Sequence, residues 1–422
     1  MPPLPQDVTS ATLVAKQPIF DLRGLVWGYE LLFRDSFGLG DTCARSATAR
    51  VMLDGFSLLR PILRGKQRFF INFSEDFLES GLADMLPPEV CGIEILESVR
   101  PTASILQKLA KLKQQGYILS LDDYIGQEYS HPFLPLVDIV KMDVLDLSAM
   151  RITELIHNLM PSKVRLLAEK VEDRETAEFC RKQGFSLFQG YFYSKPTTVR
   201  GIKFNPAQLT KTRLFATLSK KNVNFKRTAD VLSSDAALMY KLLSYINSVY
   251  FGLPIKVHKV DHALRMLGTQ KLRQWLFVVA LAEFGTSPMA QEVVYISAQR
   301  AKFLETLAHA SHKKDSALSQ KLFLVGLFSL LNTLVQAPVE KIFAQLPLES
   351  DVLELLTGGH NRLSPWYDIM VAYEQARWDE VQFLTKPLRI TDQQLLDAYT
   401  VAGRWVNMVF QTPPPQEKIS NV

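Results

Sequence analysis

The sequence predicts a TIM-like (β/α)8 barrel followed by an all-helical domain. Three observations lead to this prediction. Short apolar runs rich in β-branched and aromatic residues recur between about residues 13 and 196, separated by stretches long enough for one helix each. Successive runs end in an acid, an amide or a lysine. From about residue 208 onward the chain shows helical periodicity and no convincing strand.

Eight strands are predicted, at residues 13–20, 28–33, 69–73, 92–96, 118–122, 139–142, 165–170 and 187–193. Several of these runs are continuously apolar, as expected of parallel strands that are buried on both faces. The segments between them are amphipathic, and residues 103–114 carry Ile105, Leu106, Leu109 and Leu112 on one side of a helix. Strands that alternate with helices predict a barrel whose strand ends gather at one mouth.

The length and the change of pattern predict two domains. At 422 residues the chain is longer than a single hydrophobic core normally grows. We place the barrel in residues 1–203 and the helical domain in residues 204–410, and we expect residues 411–422 to form a flexible tail. The net charge of +5 is too small over this length to indicate nucleic-acid binding by itself.

Cysteine usage and hydropathy favour a cytoplasmic protein. Cys43, Cys91 and Cys180 are far apart and form no CxxC pair, which fits a reducing compartment and argues against a thiolate metal site. The first residues lack the basic and apolar regions of a signal peptide. The longest apolar stretch, residues 322–335, is too short to span a bilayer, so we expect a buried helix and no membrane association.

The polar residues that end the apolar runs predict one shared site. They are Glu30, Asn72, Glu94, the adjacent Asp122 and Asp123, Lys141, Glu169 and Gln189. A single acid at a strand end is more often a helix cap or an ion-pair partner, but a series on successive strands indicates a cluster. Clustered carboxylates need compensating charge, and Mg²⁺ and Mn²⁺ prefer such oxygen ligands. Two such ions can activate water and stabilise a leaving oxygen, which predicts a metal-dependent phosphodiesterase.

Residues 13–203 resemble the EAL family of cyclic di-GMP phosphodiesterases. The matching segments are AKQPIFD with Gln17, YELLFR with Glu30 and Arg34, FINFS with Asn72, EILE with Glu94 and Glu97, LDDY with Asp122 and Asp123, KMD with Lys141 and Asp143, AEKVED with Glu169 and Glu172, and QGY with Gln189. The resemblance implies a divalent-metal site, with two ions, formed by Glu30, Asn72, Glu94, Asp122, Asp123 and Glu169.

The resemblance also implies roles around that site. Lys141 positions water, and Glu169 is a metal ligand or a general base. The substrate-binding residues are Gln17, Arg34, Asp143 and Gln189. Glu97 steadies the loop after the paired aspartates, with Glu172 nearby. A homodimer through the barrel is expected by analogy alone.

Three positions depart from the EAL pattern. The signature reads Glu-Leu-Leu instead of Glu-Ala-Leu, which adds a bulky side chain beside Glu30. The family's Gly-rich loop after the paired aspartates is replaced by YIGQEYSHP, which keeps only Gly126. The glycine expected after Glu169 is Lys170, a cation near the mouth. Changes in the residues that support metal ligands tune activity by one or two orders of magnitude.

The second half is similar to the HDOD domain, an all-helical relative of the HD phosphohydrolases. The matching features are Asp235, Asn247-Ser248, Tyr250, Gly252-Leu253-Pro254 and a helix over residues 263–267 that ends at Gly268. Ser329-Leu330 stands where the metal-binding His-Asp doublet of an HD enzyme would fall. The pairs His258/His262 and His309/His312 have helical spacing, but such pairs are more often structural than ligands. We expect a non-catalytic domain that binds a protein partner or regulates the barrel.

The leading expectation is therefore a phosphodiesterase that hydrolyses cyclic di-GMP. One alternative is a silent protein that binds the dinucleotide, or nothing, and signals through the HDOD surface. A second is a nucleic-acid-binding regulator, based on a basic segment with interleaved aromatic residues: Lys211, Arg213, Phe215, Lys220, Lys221, Phe225, Lys226 and Arg227. A solvated linker explains that segment as well and is favoured over nucleic-acid binding.

Overall fold

The computed structural model describes residues 13–34, 67–190, 236–248, 255–282, 287–311, 315–334 and 348–410, together with positions 56, 63, 251, 253 and 343. Eight strands form a closed barrel in chain order. They are β1 Val14–Asp21, β2 Val26–Phe33, β3 Arg68–Phe73, β4 Cys91–Ile95, β5 Ile118–Leu121, β6 Ile139–Asp143, β7 Arg165–Glu169 and β8 Leu187–Phe188. The barrel predicted from the sequence is confirmed, with strand bounds that agree to within two residues over the described part.

The first strand runs against the others. β1 pairs antiparallel with both β2 and β8, whereas every pair from β2–β3 to β7–β8 is parallel. A tight turn joins β1 to β2, in which the Asp21 carboxylate accepts the backbone N–H groups of Arg23 and Leu25 at 2.9 Å each. The register of this hairpin places Gln17 opposite Glu30. A residue from the middle of β1 therefore joins the strand ends at the mouth.

Helices follow most of the parallel strands. They are α1 Glu75–Glu79, α2 Ala103–Gln114, α3 Ala149–Leu159 and α4 Arg174–Lys182. Helices α2, α3 and α4 each begin after an N-cap residue whose side chain accepts a backbone N–H of the first turn. These N-cap residues are Thr102, Ser148 and Asp173. Helix α2 has the predicted bounds, and Ile105, Leu109 and Leu112 are buried.

An apolar layer fills the barrel interior beside the polar residues. Ile19, Phe70, Ile139, Leu167 and Leu187 form one buried cluster. Each lies two residues from a predicted site residue and therefore on the same face of its strand. The partners in this spacing are Gln17, Asn72, Lys141, Glu169 and Gln189.

The Phe70 ring explains two glycines on the neighbouring strands. A Cβ at Gly92 would overlap this ring, and a Cβ at Gly28 would come within 3.3 Å of it and within 2.9 Å of the Arg68 carbonyl oxygen. A side chain at either position would displace the ring. The layer that supports the site thus depends on the absence of side chains at Gly28 and Gly92.

The chain divides into two compact units. The first contains Met1–Thr198, Ser287–Glu292 and Pro365–Thr400, and the second contains Val199–Thr286, Val293–Ser364 and Val401–Val422. The sequence-based division after residue 203 assigned the two later segments to the helical domain. Contacts between Cα atoms group Ser287–Glu292 and Pro365–Thr400 with the barrel. The domain bounds given from the sequence remain a prediction.

The remaining helices are α5 Ala236–Ile246, α6 Val260–Ala282, α7 Pro288–Ser311, α8 Ser316–Phe328, α9 Leu331–Leu334, α10 Ser350–Leu356, α11 Ser364–Glu374, α12 Trp378–Leu388 and α13 Asp392–Phe410. The predicted helix end at Gly268 appears as a break inside α6, where Gly268 has φ 71° and ψ 169°. The all-helical prediction for this half is confirmed over the described residues.

One apolar segment passes a simple test for a membrane span. Among the described residues, Ser316–Leu334 is long and apolar enough to cross a membrane by length and composition. Leu322, Val325 and Leu327 in this segment are completely buried. Completely buried side chains of this kind are typical of a core helix.

Candidate functional site

The site lies inside the mouth of the barrel and is built from the ends of successive strands. Glu30 is on β2, Asn72 on β3, Glu94 on β4, Lys141 on β6 and Glu169 on β7, while Asp122 directly follows β5 and Gln189 directly follows β8. Alternation along each strand turns these side chains to the interior. The structure therefore brings together seven of the eight positions that the sequence placed at strand ends, and the eighth, Asp123, follows Asp122.

Lys141 is the centre of the cluster. Its side chain is 2% exposed, and its ammonium contacts Glu169 at 2.9 Å, Asp122 at 3.0 Å and Glu30 at 3.3 Å. It also pairs with Glu94. Burial alone would lower the pKa of Lys141, but the charges of Glu169 and Glu30 raise it above the ordinary value. One ammonium thus stays protonated among four carboxyl groups.

Two amides complete the surroundings of Glu30. Asn72 donates from Nδ2 to Glu30 Oε1 at 3.0 Å, and Gln189 donates from Nε2 to Glu30 Oε2 at 2.8 Å. The same Gln189 nitrogen donates to Gln17 Oε1 at 2.9 Å. Burial works to raise the pKa of Glu30, but the Lys141 charge and these hydrogen bonds outweigh it and hold the pKa below its ordinary range.

The positive charge of Lys141 does not compensate the burial of Asp122 and Glu169, and the pKa of each is raised. Burial, together with the charges of Glu169, Glu30 and Asp123, raises the pKa of Asp122 to about 9. Burial also raises the pKa of Glu169, against the opposing effect of Lys141. Because one cation cannot neutralise four carboxylates, the cluster favours either protons or a further cation.

The donor set fits a divalent cation. Carboxylate oxygens of Asp122, Asp123 and Glu169 lie within 4.8 Å of one another. Among the described residues, the buried side-chain oxygens without a hydrogen-bond partner include three from predicted site residues, namely Asn72 Oδ1, Glu94 Oε2 and Gln189 Oε1. Buried acceptors of this kind are expensive to leave unpaired. An acidic, oxygen-rich cluster with spare acceptors can hold a hard cation.

Asp123 and Asp143 lie at the edge of the cluster. Asp123 has φ 42°, and burial followed by the charges of Glu97 and Asp143 raises its pKa. The Asp143 carboxylate accepts the Leu145 backbone N–H at 2.9 Å and pairs with Lys170. Lys170, which replaces the glycine expected after Glu169, therefore lies against Asp143, a predicted substrate-binding residue.

The two residues expected to support the loop differ in their surroundings. Glu97 is exposed, and its backbone carbonyl oxygen accepts the Tyr129 hydroxyl at 3.2 Å. Tyr129 belongs to the short helical turn Glu128–Phe133 in the rewritten loop. Glu172 is exposed after β7. The loop thus contacts the backbone of Glu97 through the Tyr129 hydroxyl. A motif based on the Glu97 side chain could not have predicted this contact.

Arg34, the predicted phosphate contact, has a partner that the sequence did not indicate. Arg34 directly follows β2, and its guanidinium pairs with Asp392 at 2.8 Å within the first compact unit. Asp392 is the first residue of α13. No local pattern could have linked two residues so far apart in the chain.

The helical half has one clear signature contact. Asn247 donates from Nδ2 to the Val257 carbonyl oxygen and accepts the Val257 backbone N–H at Oδ1, both at 2.7 Å. The amide therefore ties the end of α5 to the backbone of Val257. Ser329 hydrogen-bonds with Arg300 at 3.1 Å. His258, His262 and His309 are exposed.

Several predicted features lie outside the described residues. They are Cys43, the basic segment from Lys211 to Arg227, Asp235, Tyr250, Gly252, Pro254, His312, residues 191–193 of the last predicted strand, and the tail 411–422.

Comparison with known proteins identifies the family. The EAL domain model matches residues 64–196, and the HDOD domain model matches residues 207–345. Cyclic di-GMP phosphodiesterase CdgJ of Vibrio cholerae is 33% identical over 411 residues, which cover 95% of this chain and 93% of CdgJ. The chain belongs to the EAL–HDOD family. The resemblance seen in the sequence is confirmed.

Two further comparisons give a similar protein sequence and a similar solved structure. The Bacillus subtilis protein YuxH is 29% identical over 405 residues, covering 93% of this chain and 97% of YuxH. The Bacillus subtilis YkuI protein, solved with cyclic di-GMP and calcium, has 17% identity and a TM-score of 0.38, covering 53% of this chain and 72% of YkuI.

Proposed function

We propose that this EAL–HDOD protein is a cyclic di-GMP signalling protein that hydrolyses one phosphodiester of cyclic di-GMP to give linear pGpG. The observation that carries the proposal is the cluster at the barrel mouth, in which Glu30, Glu94, Asp122 and Glu169 surround the buried ammonium of Lys141. The relative CdgJ, which matches over nearly the whole chain, is named a cyclic di-GMP phosphodiesterase. The name of this relative and the chemistry of the cluster indicate the same reaction.

The proposal includes a divalent metal site. Mg²⁺ or Mn²⁺ would be held by Glu30, Asn72, Glu94, Asp122, Asp123 and Glu169, and we propose two ions. A bound divalent ion supplies charge neutralisation for the phosphate and acidifies a bound water. The spare acceptors Asn72 Oδ1 and Glu94 Oε2 and the excess of carboxyl groups support this assignment.

Residues of the chain itself divide the work of binding and proton transfer. Lys141, kept protonated by Glu169 and Glu30, provides a fixed positive charge for the phosphate and orients the attacking water. Glu169, whose pKa burial raises, is suited to accept a proton from that water. We assign Gln17, Arg34, Asp143 and Gln189 to substrate binding, and Glu97 and Glu172 to support of the loop after Asp123.

The HDOD half is proposed to bind a protein partner or to regulate the barrel. The exposed positions of His258, His262 and His309 support a non-catalytic role. We further propose a cytoplasmic protein without membrane attachment. A homodimer through the barrel is part of the proposal, and nucleic-acid binding is not.

The test is turnover of cyclic di-GMP by the full-length protein in Mg²⁺ and in Mn²⁺, with the product identified by chromatography. Glu30→Gln keeps the shape of the side chain and removes a charge from the cluster. Glu178→Gln is the matched control, because Glu178 is exposed on α4 and pairs with Arg174 away from the mouth. We expect pGpG from the wild type and from Glu178→Gln, and a loss of at least about 100-fold for Glu30→Gln.

Two outcomes would change the assignment. Binding of cyclic di-GMP in Ca²⁺ without any turnover would make the barrel a receptor. Neither turnover nor binding would make it a scaffold that acts through the HDOD half.

A further inference from the structure

The end of β2 is held by a segment that neither family model covers. The EAL match ends at residue 196 and the HDOD match at residue 345, yet Pro365–Thr400 belongs to the same compact unit as the barrel. Helices α11 and α12 and the start of α13 lie in this segment. We call it the C-terminal segment.

Two contacts anchor the C-terminal segment at one point of the β1–β2 hairpin. The Tyr373 hydroxyl donates to the Val14 carbonyl oxygen at 3.1 Å, and Tyr373 is completely buried. Asp392 pairs with Arg34 at 2.8 Å. Val14 pairs in register with Phe33, the residue before Arg34. The hydrogen bond and the ion pair therefore act on adjacent positions of the same hairpin.

Aromatic packing supports this anchor. The Tyr373 ring contacts Tyr399 with a centroid distance of 5.0 Å and Trp378 with a centroid distance of 5.3 Å. These rings come from α11, α12 and α13 and so fix the three helices to one another. Asp392 thus lies on a helix that packs directly against the Tyr373 anchor.

Arg34 directly follows β2, the strand that carries Glu30. It lies four residues after Glu30, an even spacing that places both side chains on one face of the strand. The Arg34 N–H donates to the Leu13 carbonyl oxygen at 3.0 Å, so the strand geometry continues through Arg34. The Arg34 side chain is 16% exposed and the Asp392 side chain 31% exposed. The ion pair is therefore partly shielded from solvent.

We propose that Asp392 is a positioning residue of the substrate site. It fixes the guanidinium of Arg34 so that this group meets a phosphate of the dinucleotide without first having to be ordered. A guanidinium carries five N–H donors in a rigid fork, so a carboxylate on one terminal nitrogen sets the plane of the whole group. This inference rests on the proposed function, and it makes the C-terminal segment a part of the substrate site.

The test compares full-length Asp392→Asn with the wild type in steady-state turnover of cyclic di-GMP and in binding of cyclic di-GMP in Ca²⁺. We expect KM and Kd to rise about threefold to fivefold, the range for a partly exposed ion pair, while kcat stays within about twofold. Asp392→Glu, which keeps the charge, restores most of the affinity. Glu380→Gln is the matched control, because it removes a carboxylate from the same segment that pairs with Arg377 instead.

A double-mutant cycle separates positioning from a structural effect. If Asp392 acts through Arg34, then Asp392→Asn changes KM and Kd by less than about twofold when Arg34 is already alanine. An equal change in both backgrounds would refute the inference, and so would an unchanged KM in the single variant. A lower KM for Asp392→Asn would show that the carboxylate competes with the phosphate, which also overturns positioning.

The two arms distinguish this inference from the proposed function. If the wild type binds cyclic di-GMP but gives no pGpG, the proposed hydrolysis fails and the Kd arm still tests Asp392. If the wild type neither binds nor hydrolyses cyclic di-GMP, both proposals are wrong.

Discussion

Replacing Lys141 by methionine is the strongest perturbation that the structure suggests. Methionine has a similar length but no charge, so Lys141→Met removes the ammonium from four carboxyl groups and leaves the side-chain volume nearly unchanged. The ammonium lies 2.9 Å from Glu169, 3.0 Å from Asp122 and 3.3 Å from Glu30. We expect the metal-free barrel to be destabilised and hydrolysis to be lost.

The size of the effect follows from burial. Removing one partner of a buried ion pair costs about 3–5 kcal/mol, because it leaves an uncompensated charge in a poorly solvated site. Without Lys141 the pKa of Glu169 rises further above its ordinary value, and the pKa of Glu30 loses the charge that holds it low. A carboxyl with a raised folded-state pKa stabilises the folded protein at low pH, and this contribution is lost as the pH rises through the folded pKa. The deficit should therefore approach about 3–5 kcal/mol at pH 8 and be smaller at pH 5.

The assay must report on the barrel alone. Urea-dependent hydrogen exchange, read on peptides from β4, β6 and β7, gives the free energy of unfolding of these strands. The measurement is made in EDTA at pH 5 and pH 8, and repeated at pH 8 with Mn²⁺, which should recover part of the loss. Lys113→Met is the control, since the Lys113–Asp138 pair is 37% and 38% exposed and should contribute at most about 1 kcal/mol.

Two results would refute this reasoning. Equal stability of Lys141→Met and the wild type at pH 8 in EDTA would mean that the ammonium does not hold the carboxyl groups. An equal loss at pH 5 and pH 8 would mean that the lysine contributes through packing and not through charge.

Three further predictions concern the surroundings of the cluster. Gly92→Ala should destabilise the barrel by about 1–3 kcal/mol in urea unfolding, because the new methyl group displaces the Phe70 ring; a smaller residue at position 70 should recover part of the loss. Because the pKa of Asp122 is raised to about 9, Mn²⁺ binding should release a proton and strengthen as the pH rises toward 9, and calorimetry in buffers of different ionisation enthalpy would contradict this if no proton were released. Lys170 has φ 51°, so Lys170→Gly should have a free energy of unfolding about 1 kcal/mol above that of Lys170→Ala, and equal stability of the two variants would mean that the backbone there is unstrained.

The strands and the cluster could be predicted because their signals are local. A buried parallel strand is a continuous apolar run, and the residue that ends it has a known position in a barrel. That is why Glu30, Glu94, Lys141 and Glu169 could be assigned to one mouth from the sequence. The contacts inside the cluster, with Lys141 at its centre, follow from that placement but not from any single motif.

Other features could not be predicted because they depend on distant parts of the chain. The ion pair between Arg34 and Asp392 joins residues that share no pattern, and the grouping of Pro365–Thr400 with the barrel has no compositional mark. The fit of Phe70 over Gly92 requires the register of β3 and β4, which periodicity does not give. Sequence periodicity defines which face a side chain occupies, whereas the partner on that face is set by packing.

The most direct test of the central claim is the rate of pGpG formation as a function of Mn²⁺ concentration, measured on the protein whose Mn²⁺ affinity is known from calorimetry. The account predicts no product in EDTA and a rate that saturates over the same Mn²⁺ concentrations at which the cluster binds the ion. A rate that is unchanged by EDTA, or Mn²⁺ binding at the cluster without any product, would contradict it.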